Sequence, residues 1–411
     1  MATTNSTNSP TQLDVQDPSP EETQVPTTTP TKSYPEVNSW DEYDMDPLVL
    51  RGIYSFGYEK PSPIQRKAIL PMIDGRDMIA QAQSGTGKTG TFSIGTLNLV
   101  DPTQAVTQAI ILSPTRELTK QSANVLSSIG TFVDGLRVQI LVGGTSTFDD
   151  MQKLKEQPPH VVVGCPGRTY DMIKRGHLRT DNVKVMVLDE ADEMLSHGFK
   201  DQMYQMFQQL NSMCQIALFS ATMPPDIESL SQKFMRDPVK ILVKSEMLTL
   251  EGIEQHYIAL DNDGLKFDTL KDLYNSLSVS QCIIYCNSTK RVEDLYEAMI
   301  QDDFSVSRIH SGMTREERDA AYEDFKSGRN RVLISSNVTA RGIDVQQVSV
   351  VINFDVPKCV HTYLHRIGRS GRWGRKGTGI NFVTKFDIKY LKQIEEHYST
   401  QITELPASFV Q

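Results

Sequence analysis

Cysteine is scarce: Cys165, Cys214, Cys282, Cys286 and Cys359 are the only five in 411 residues. Their number is odd and their spacing fits neither a disulfide framework nor a zinc pattern, which points to a reducing cytosolic or nuclear compartment. No uninterrupted apolar run reaches the length of a membrane span, and the N-terminus carries no signal-peptide core, so no membrane contact is expected. Positive charge is lacking overall, with 42 Lys and Arg against 51 Asp and Glu and a net charge of −9. A protein that coats nucleic acid by bulk charge would be basic, so any such contact needs a local basic footprint. Residues 1–38 have few apolar side chains and much Thr, Ser and Pro, the composition of a disordered tail.

What is present begins with size. A chain of 411 residues with 38% hydrophobic and 23% charged residues suits a soluble globular protein of two domains plus extensions. Its central stretch is Gln81-Ala82-Gln83-Ser84-Gly85-Thr86-Gly87-Lys88-Thr89. A short apolar run precedes it and an apolar pattern at helical spacing follows. Strand, glycine loop and helix is the context of a phosphate-binding loop. Glycines let backbone N–H groups turn inward around phosphate oxygens, and the helix dipole adds to that field. Lys88 is placed to reach terminal phosphates and Thr89 to ligate Mg²⁺. Ala82 stands where the standard pattern begins with Gly.

Upstream, order should begin near Trp40, and Pro61 and Pro63 stiffen a loop before a helix that Ile64 and Gln65 open. The Gln65 amide can both donate and accept, which suits an adenine edge, and Tyr58 could stack on a base. From this stretch alone, a helix-capping loop with an exposed Gln and a packed aromatic is the better reading. Downstream, apolar strands recur, each ending in a polar or glycine-bearing loop. Ala109–Ser113 leads into Pro114-Thr115-Arg116, Val138–Val142 into Gly143-Gly144, and Val161–Val163 into Cys165-Pro166-Gly167-Arg168. Val185–Leu188 leads into Asp189-Glu190-Ala191-Asp192, and Ile216–Phe219 into Ser220-Ala221-Thr222. The pattern predicts a parallel α/β sheet with its ligands at the carboxyl ends of the strands. Asp189 at a strand end is a Walker-B carboxylate for Mg²⁺, and Glu190 can orient or deprotonate a water.

After a connector, the strand pattern restarts in a second α/β unit without a phosphate loop. Between Val356 and Phe386 there is no Asp or Glu, while Lys358, Arg366, Arg369, Arg372, Arg375, Lys376 and Lys385 occur there. This is the local footprint, and its Arg preference with interleaved glycines favours bidentate phosphate contact.

The order of Gln65, Gln83–Thr89, Pro114–Leu118, Asp189–Asp192, Ser220–Thr222, Ala340–Asp344 and His365–Arg372 resembles the DEAD-box RNA helicases. The resemblance covers roughly Trp40 to the C-terminus, and Ala82 is then a family mark. It implies two tandem RecA-like parallel-sheet domains, at 39–242 and 255–411, with a flexible linker at 243–254. It implies ATP and Mg²⁺ as cofactors, adenine recognition by Tyr58 and Gln65, and Trp40 in the place of an upstream Phe. Arg369 and Arg372 match the arginine fingers, and Asp344 matches an interdomain ATP contact. Pro114, Thr115, Arg116, Gly144, Gly167, Arg168, Ser311, Gly312 and Ser336 match RNA-backbone contacts. Asp192, Ser220, Thr222 and His365 match the coupling residues. Within the family the translation-initiation branch is most similar, by stretches such as Ser220–Pro224 and Gly342–Val348. That branch implies a cytoplasmic monomer that unwinds short RNA duplexes in mRNA 5′ structure, with the initiation scaffold factor 4G and accessory factor 4B as partners.

Three departures fall on the RNA side. Cys165 replaces Thr, Ser336-Asn337 replaces Thr-Asp, and Arg315 replaces Gln while Arg318 is kept. The ATP-side set is complete, so hydrolysis is better supported than RNA affinity. An ATP-gated RNA clamp of the exon-junction type, nuclear in location, uses the same residues and stays open as a reading. A duplex-DNA translocase shares the two-domain core but not the adenine loop.

Overall fold

The computed structural model describes residues 1, 34–82, 85–196, 198–242, 253–276, 281–337, 348–370 and 377–406. The first sheet holds β1 (Met78–Gln81), β2 (Ala109–Leu112), β3 (Val138–Leu141), β4 (Val161–Gly164), β5 (Val185–Asp189), β6 (Gln215–Ser220) and β7 (Val239–Leu242). All its pairings are parallel, in the order β3-β4-β2-β5-β6-β1-β7. The central strands are apolar on both sides because helices cover both faces. Alternation still sorts them: Ala80, Ile111, Val187 and Phe219 enter one core, and Ile79, Ile110, Leu188 and Leu218 the other.

The second sheet holds β8 (Ile253–Ala259), β9 (Gln281–Tyr285), β10 (Val306–Ile309), β11 (Val332–Ser335), β12 (Val348–Asn353), β13 (Gly377–Val383) and β14 (Thr403–Glu404). It is again fully parallel, in the order β10-β11-β9-β12-β13-β8-β14. The strands β7, β8 and β14 escape a reading of apolar runs. Burial in β7 and β8 is intermittent, and both residues of β14 are exposed, so none carries an unbroken hydrophobic stretch. The first sheet ends at Leu242 and β8 starts at Ile253, two residues inside the span expected as linker. Among the described residues no helix is long and apolar enough to cross a membrane.

Two ion pairs join the helix Arg116–Ile129, packed on the first sheet, to the helix Arg315–Lys326 of the second. Lys120 Nζ lies 3.0 Å from Asp319, and Arg318 Nη1 lies 3.9 Å from Glu117. The signs are crossed: each helix offers one cation and one anion.

The helix Lys88–Leu99 is seated by Phe92, whose ring meets Phe219 edge-on with centroids 5.4 Å apart. Both rings are fully buried. Phe92→Ala should destabilise the first sheet by about 3–5 kcal/mol. Urea unfolding of the full chain checks this, and an unchanged midpoint would contradict the packing described.

Candidate active site and nucleic-acid interface

β1 delivers the chain into the glycine loop. Gly85 and Gly87 adopt φ of +81° and +101°, where a Cβ is penalised, and Gly87 caps the helix Lys88–Leu99. Gln83 and Ser84 lie outside the described residues. Thr86 and Thr89 are partly buried at the loop and at the second position of the helix. Lys88 and Glu190 both have side chains only 5% exposed, and Lys88 Nζ donates to Glu190 Oε1 at 3.0 Å. Glu190 sits just beyond β5 with φ +52°, a conformation that few non-glycine residues hold without support from their surroundings. Burial above all, and then the Glu190 charge, pushes the Asp189 carboxyl up to about 7, with Lys88 opposing. Asp189 Oδ1 is buried and has no hydrogen-bond partner among the described residues. A buried carboxylate oxygen without a donor is the kind of hard oxygen ligand that fits a divalent cation such as Mg²⁺.

Beside the loop, Gln65 is buried and bonded at both ends of its amide. Its Oε1 accepts from the Ser62 N–H at 2.7 Å, closing a capping box, and its Nε2 donates to the Gly87 carbonyl at 3.4 Å. The Tyr58 ring stacks on Trp40 at 6.4 Å and meets Phe56 edge-on at 4.9 Å. Trp40 is completely buried, so it acts as the floor on which Tyr58 rests. Gly90 escapes a motif reading, yet a Cβ there would stand 2.7 Å from Gln65 Nε2 and 2.9 Å from Tyr58 Cε2. The missing side chain lets both residues lie against the phosphate-loop helix.

The two sheets meet at a buried polar node. Thr222 Oγ1 donates to Asp192 Oδ2 at 2.6 Å, and His365 Nε2 lies 3.6 Å from the same oxygen. The Thr222 N–H donates to Ser220 Oγ at 3.3 Å, tying the node to the end of β6. One ligand atom each of Glu190, Asp192 and His365 lies within 4.8 Å of the others. Arg369 stands one helical turn past His365, 7% exposed, with Nε donating to the His365 carbonyl at 3.3 Å. Asp344 and Arg372 lie outside the described residues.

The nucleic-acid set occupies other strand ends. Thr115, after β2 and next to Pro114, caps the helix Arg116–Ile129. A Cβ on Gly144, after β3 with φ +81°, would fall 2.8 Å from the Arg116 guanidinium. Arg168 follows Gly167 at the start of the helix Pro166–Lys174. Its guanidinium is drawn into an ion pair with Asp150 and hydrogen bonds to both oxygens of Thr145. Asp150 and Thr145 are partners that no motif announced. Cys165 Sγ lies 3.3 Å from Thr119 Oγ1, and burial pushes its thiol up to about 11, so it is a neutral filler. On the second sheet Ser311 and Gly312, after β10, are exposed. The buried Ser336 hydroxyl, after β11, has no partner among the described residues. The Arg315 side chain lies outside the described ones.

The basic footprint needs correction at Arg366. It is fully buried rather than facing phosphate, and burial pushes its guanidinium down to about 10. All five of its N–H groups are used. Nε and Nη2 converge on Asn337 Oδ1 at 3.0 and 2.5 Å, Nη2 also donates to Asn287 Oδ1 at 2.8 Å, and Nη1 donates to Asn353 Oδ1 at 3.1 Å and the Asp355 carbonyl at 2.8 Å. Every acceptor is neutral. Lys358 and Lys385 are exposed, and Arg375 and Lys376 lie outside the described residues.

Residues 62–230 match the DEAD/DEAH box helicase family, and residues 265–374 match the helicase conserved C-terminal domain. The chain belongs to the DEAD/DEAH box helicases. It is 52% identical over 370 residues to a Neurospora crassa protein named ATP-dependent RNA helicase eIF4A, covering 90% of this chain and 93% of that one. The protein of the same name from Aspergillus fumigatus is 52% identical over 375 residues, covering 91% and 92%. Among solved structures, S. cerevisiae Dbp5 bound to RNA and ADP BeF3 superposes with a TM-score of 0.84 at 36% identity, covering 90% of this chain and 96% of that one.

Asn337 offers one oxygen to two N–H groups of a buried cation. Asn337 is itself exposed, so a carboxylate there loses little hydration while supplying a bidentate partner. Asn337→Asp should therefore stabilise the second sheet by about 1 kcal/mol, the difference between neutral and charge-assisted hydrogen bonds. Thermal unfolding should show a raised midpoint; no rise would mean that the neutral cage already satisfies Arg366.

Proposed function

We propose that this chain is an ATP-dependent RNA helicase whose active site is completed only when its two sheets dock. The observation that carries this reading is the buried node of Asp192, Thr222 and His365, which links the strand ends holding the phosphate loop to the turn bearing Arg369. Residues 39–242 act as the ATP-binding helicase domain and the unit that opens on β8 at Ile253 as the C-terminal one, joined by a linker shortened to 243–252, with residues 1–38 as a tail.

In the proposed mechanism, Tyr58 and Gln65 recognise adenine while Gln83 to Thr89 wrap the phosphates. Thr89 and Asp189 would hold Mg²⁺, which would neutralise phosphate charge there. Lys88 is paired with Glu190 at 3.0 Å, and an incoming terminal phosphate competes for its ammonium group. Glu190 is thereby released to orient the attacking water and take its proton. Arg369 and Arg372 stabilise charge on the transferring phosphoryl group, a contribution of roughly 10³–10⁵ in rate in related enzymes. Asp344 contacts the nucleotide from the second domain.

RNA is held along its backbone by Pro114, Thr115, Arg116, Gly144, Gly167 and Arg168 on one sheet and Ser311, Gly312 and Ser336 on the other. Arg168 must exchange its Asp150 partner or act by shaping the Gly144–Thr145 loop. Backbone contact makes binding indifferent to sequence. A strand bent between two docked domains cannot stay paired, so short duplexes open locally. The relatives named eIF4A support a place in translation initiation, in the cytoplasm, with the scaffold factor 4G and accessory factor 4B as partners and mRNA 5′ structure as target.

ATPase rates with poly-U RNA and with matched DNA test the reading, and stronger stimulation by duplex DNA would redirect it to a DNA translocase. In the same assay Glu190→Gln should bind ATP and RNA without turnover, and undiminished phosphate release would reject Glu190 as the water-orienting residue. Arg369→Ala should lower RNA-stimulated hydrolysis by more than about tenfold, or about 1.4 kcal/mol. Wild-type stimulation there would refute a site shared between the domains.

A further inference from the structure

Beneath the exposed turn Ser311–Gly312 lies a buried relay that none of the helicase motifs above includes. His310 ends β10 and is 5% exposed. Its Nδ1 accepts the Gly312 N–H at 3.1 Å, so that nitrogen carries no proton. The hydrogen must then sit on Nε2, which donates to Glu293 Oε1 on the helix Thr289–Gln301. The other Glu293 oxygen lies 2.7 Å from Arg308 Nε, and the Arg308 guanidinium covers the Tyr296 ring at 4.1 Å on that same helix. The imidazole is thus fixed in tautomer and in orientation from below.

The turn is shaped to fit it. A Cβ at Gly312 would stand 3.2 Å from His310 Nδ1 and 3.3 Å from its Cε1, so the absence of a side chain lets the backbone close onto the ring. The neighbouring strand end is tied to the same corner: Ser335 Oγ donates to the Ile309 carbonyl at 2.9 Å, and the Ser336 N–H donates to it at 3.3 Å. The relay therefore fixes Ser311 and Gly312 relative to the Ser336 hydroxyl, which has no partner among the described residues.

We propose that His310, oriented by Glu293, is a positioning residue that presets the Ser311–Gly312 turn for the RNA backbone. This rests on the reading that the turn meets RNA. A turn held in its bound form binds without the cost of ordering it. Removing the ring frees the turn and weakens RNA binding, while the ATP site, on other strand ends, keeps its geometry.

The experiment is steady-state ATPase of the full chain with poly-U RNA, resolving the KM for RNA, the KM for ATP and kcat. His310→Ala should raise the RNA KM by roughly tenfold, the worth of one buried hydrogen bond, and leave kcat at saturating RNA and the ATP KM within about twofold. His310→Asn, whose amide oxygen can replace Nδ1 as acceptor, should recover most of the loss. Glu293→Ala, at a half-buried position, tests the same ring without emptying the core and should raise the RNA KM by about threefold. Ser311→Asp places a like charge where phosphate would approach and should also raise the RNA KM. If Ser311→Asp changes nothing, the turn does not meet RNA and the underlying reading falls with the inference. If it raises the RNA KM but the His310 and Glu293 variants do not, the positioning role alone is overturned. A fall in kcat shared equally by His310→Ala and His310→Asn would likewise overturn it, as general structural damage.

Discussion

The structure depends most on one small buried contact, where Asp192 accepts from Thr222 and faces His365 across the junction of the sheets. Polar groups in a low-dielectric interior interact strongly when paired and are costly when left alone. The node therefore favours full docking or full separation over intermediate distances. Thr222 is anchored to Ser220, and Asp192 stands in the first turn of the helix Ala191–Ser196, which follows directly on Glu190. Short contacts therefore run from the end of β6 through Thr222 and Asp192 to His365, and the Arg369 side chain is bonded to the His365 carbonyl.

Each sheet divides its labour by strand position. In the first, β1, β5 and β6 are neighbours in the order β5-β6-β1 and carry the phosphate loop, the carboxylates and Ser220. The adjacent β3-β4-β2 carries the residues assigned to RNA. In the second, β10 and β11 carry Ser311, Gly312 and Ser336, while His365 and Arg369 follow β12. The parallel topology places all these loops at carboxyl ends, so the residues proposed for nucleotide and for RNA lie side by side at that end of the sheets.

Much of this was legible in the sequence, because glycine loops, strand-end carboxylates and apolar runs are local signals. The phosphate loop, Asp189, Glu190 and the central strands of both sheets are of this kind. What was not legible depends on partners distant in the chain. Gly90 reads as a neutral helix residue until Tyr58 and Gln65 are seen against it. Arg366 reads as a phosphate ligand from composition and Arg168 as an RNA contact from the resemblance, yet Asp150 pairs with Arg168 and four neutral oxygens take all five donors of Arg366. Nothing in the spacing of charges reveals which arginines a fold turns inward. The strands β7, β8 and β14 were missed for a different reason: half-exposed strands at or next to a sheet edge do not need the apolar continuity on which strand recognition relies.

The crossed ion pairs between Glu117, Lys120, Arg318 and Asp319 act like a keyed connector. Individually such partly exposed pairs are worth only about 0–1 kcal/mol. Their value lies in their polarity, since a slip of one helix past the other would bring Lys120 toward Arg318 and Glu117 toward Asp319. Misregistered docking is therefore repelled before the buried node can form, and the two halves find a single alignment with little energy invested in holding it. Contacts of that kind are selective in where they close and weak enough to let go.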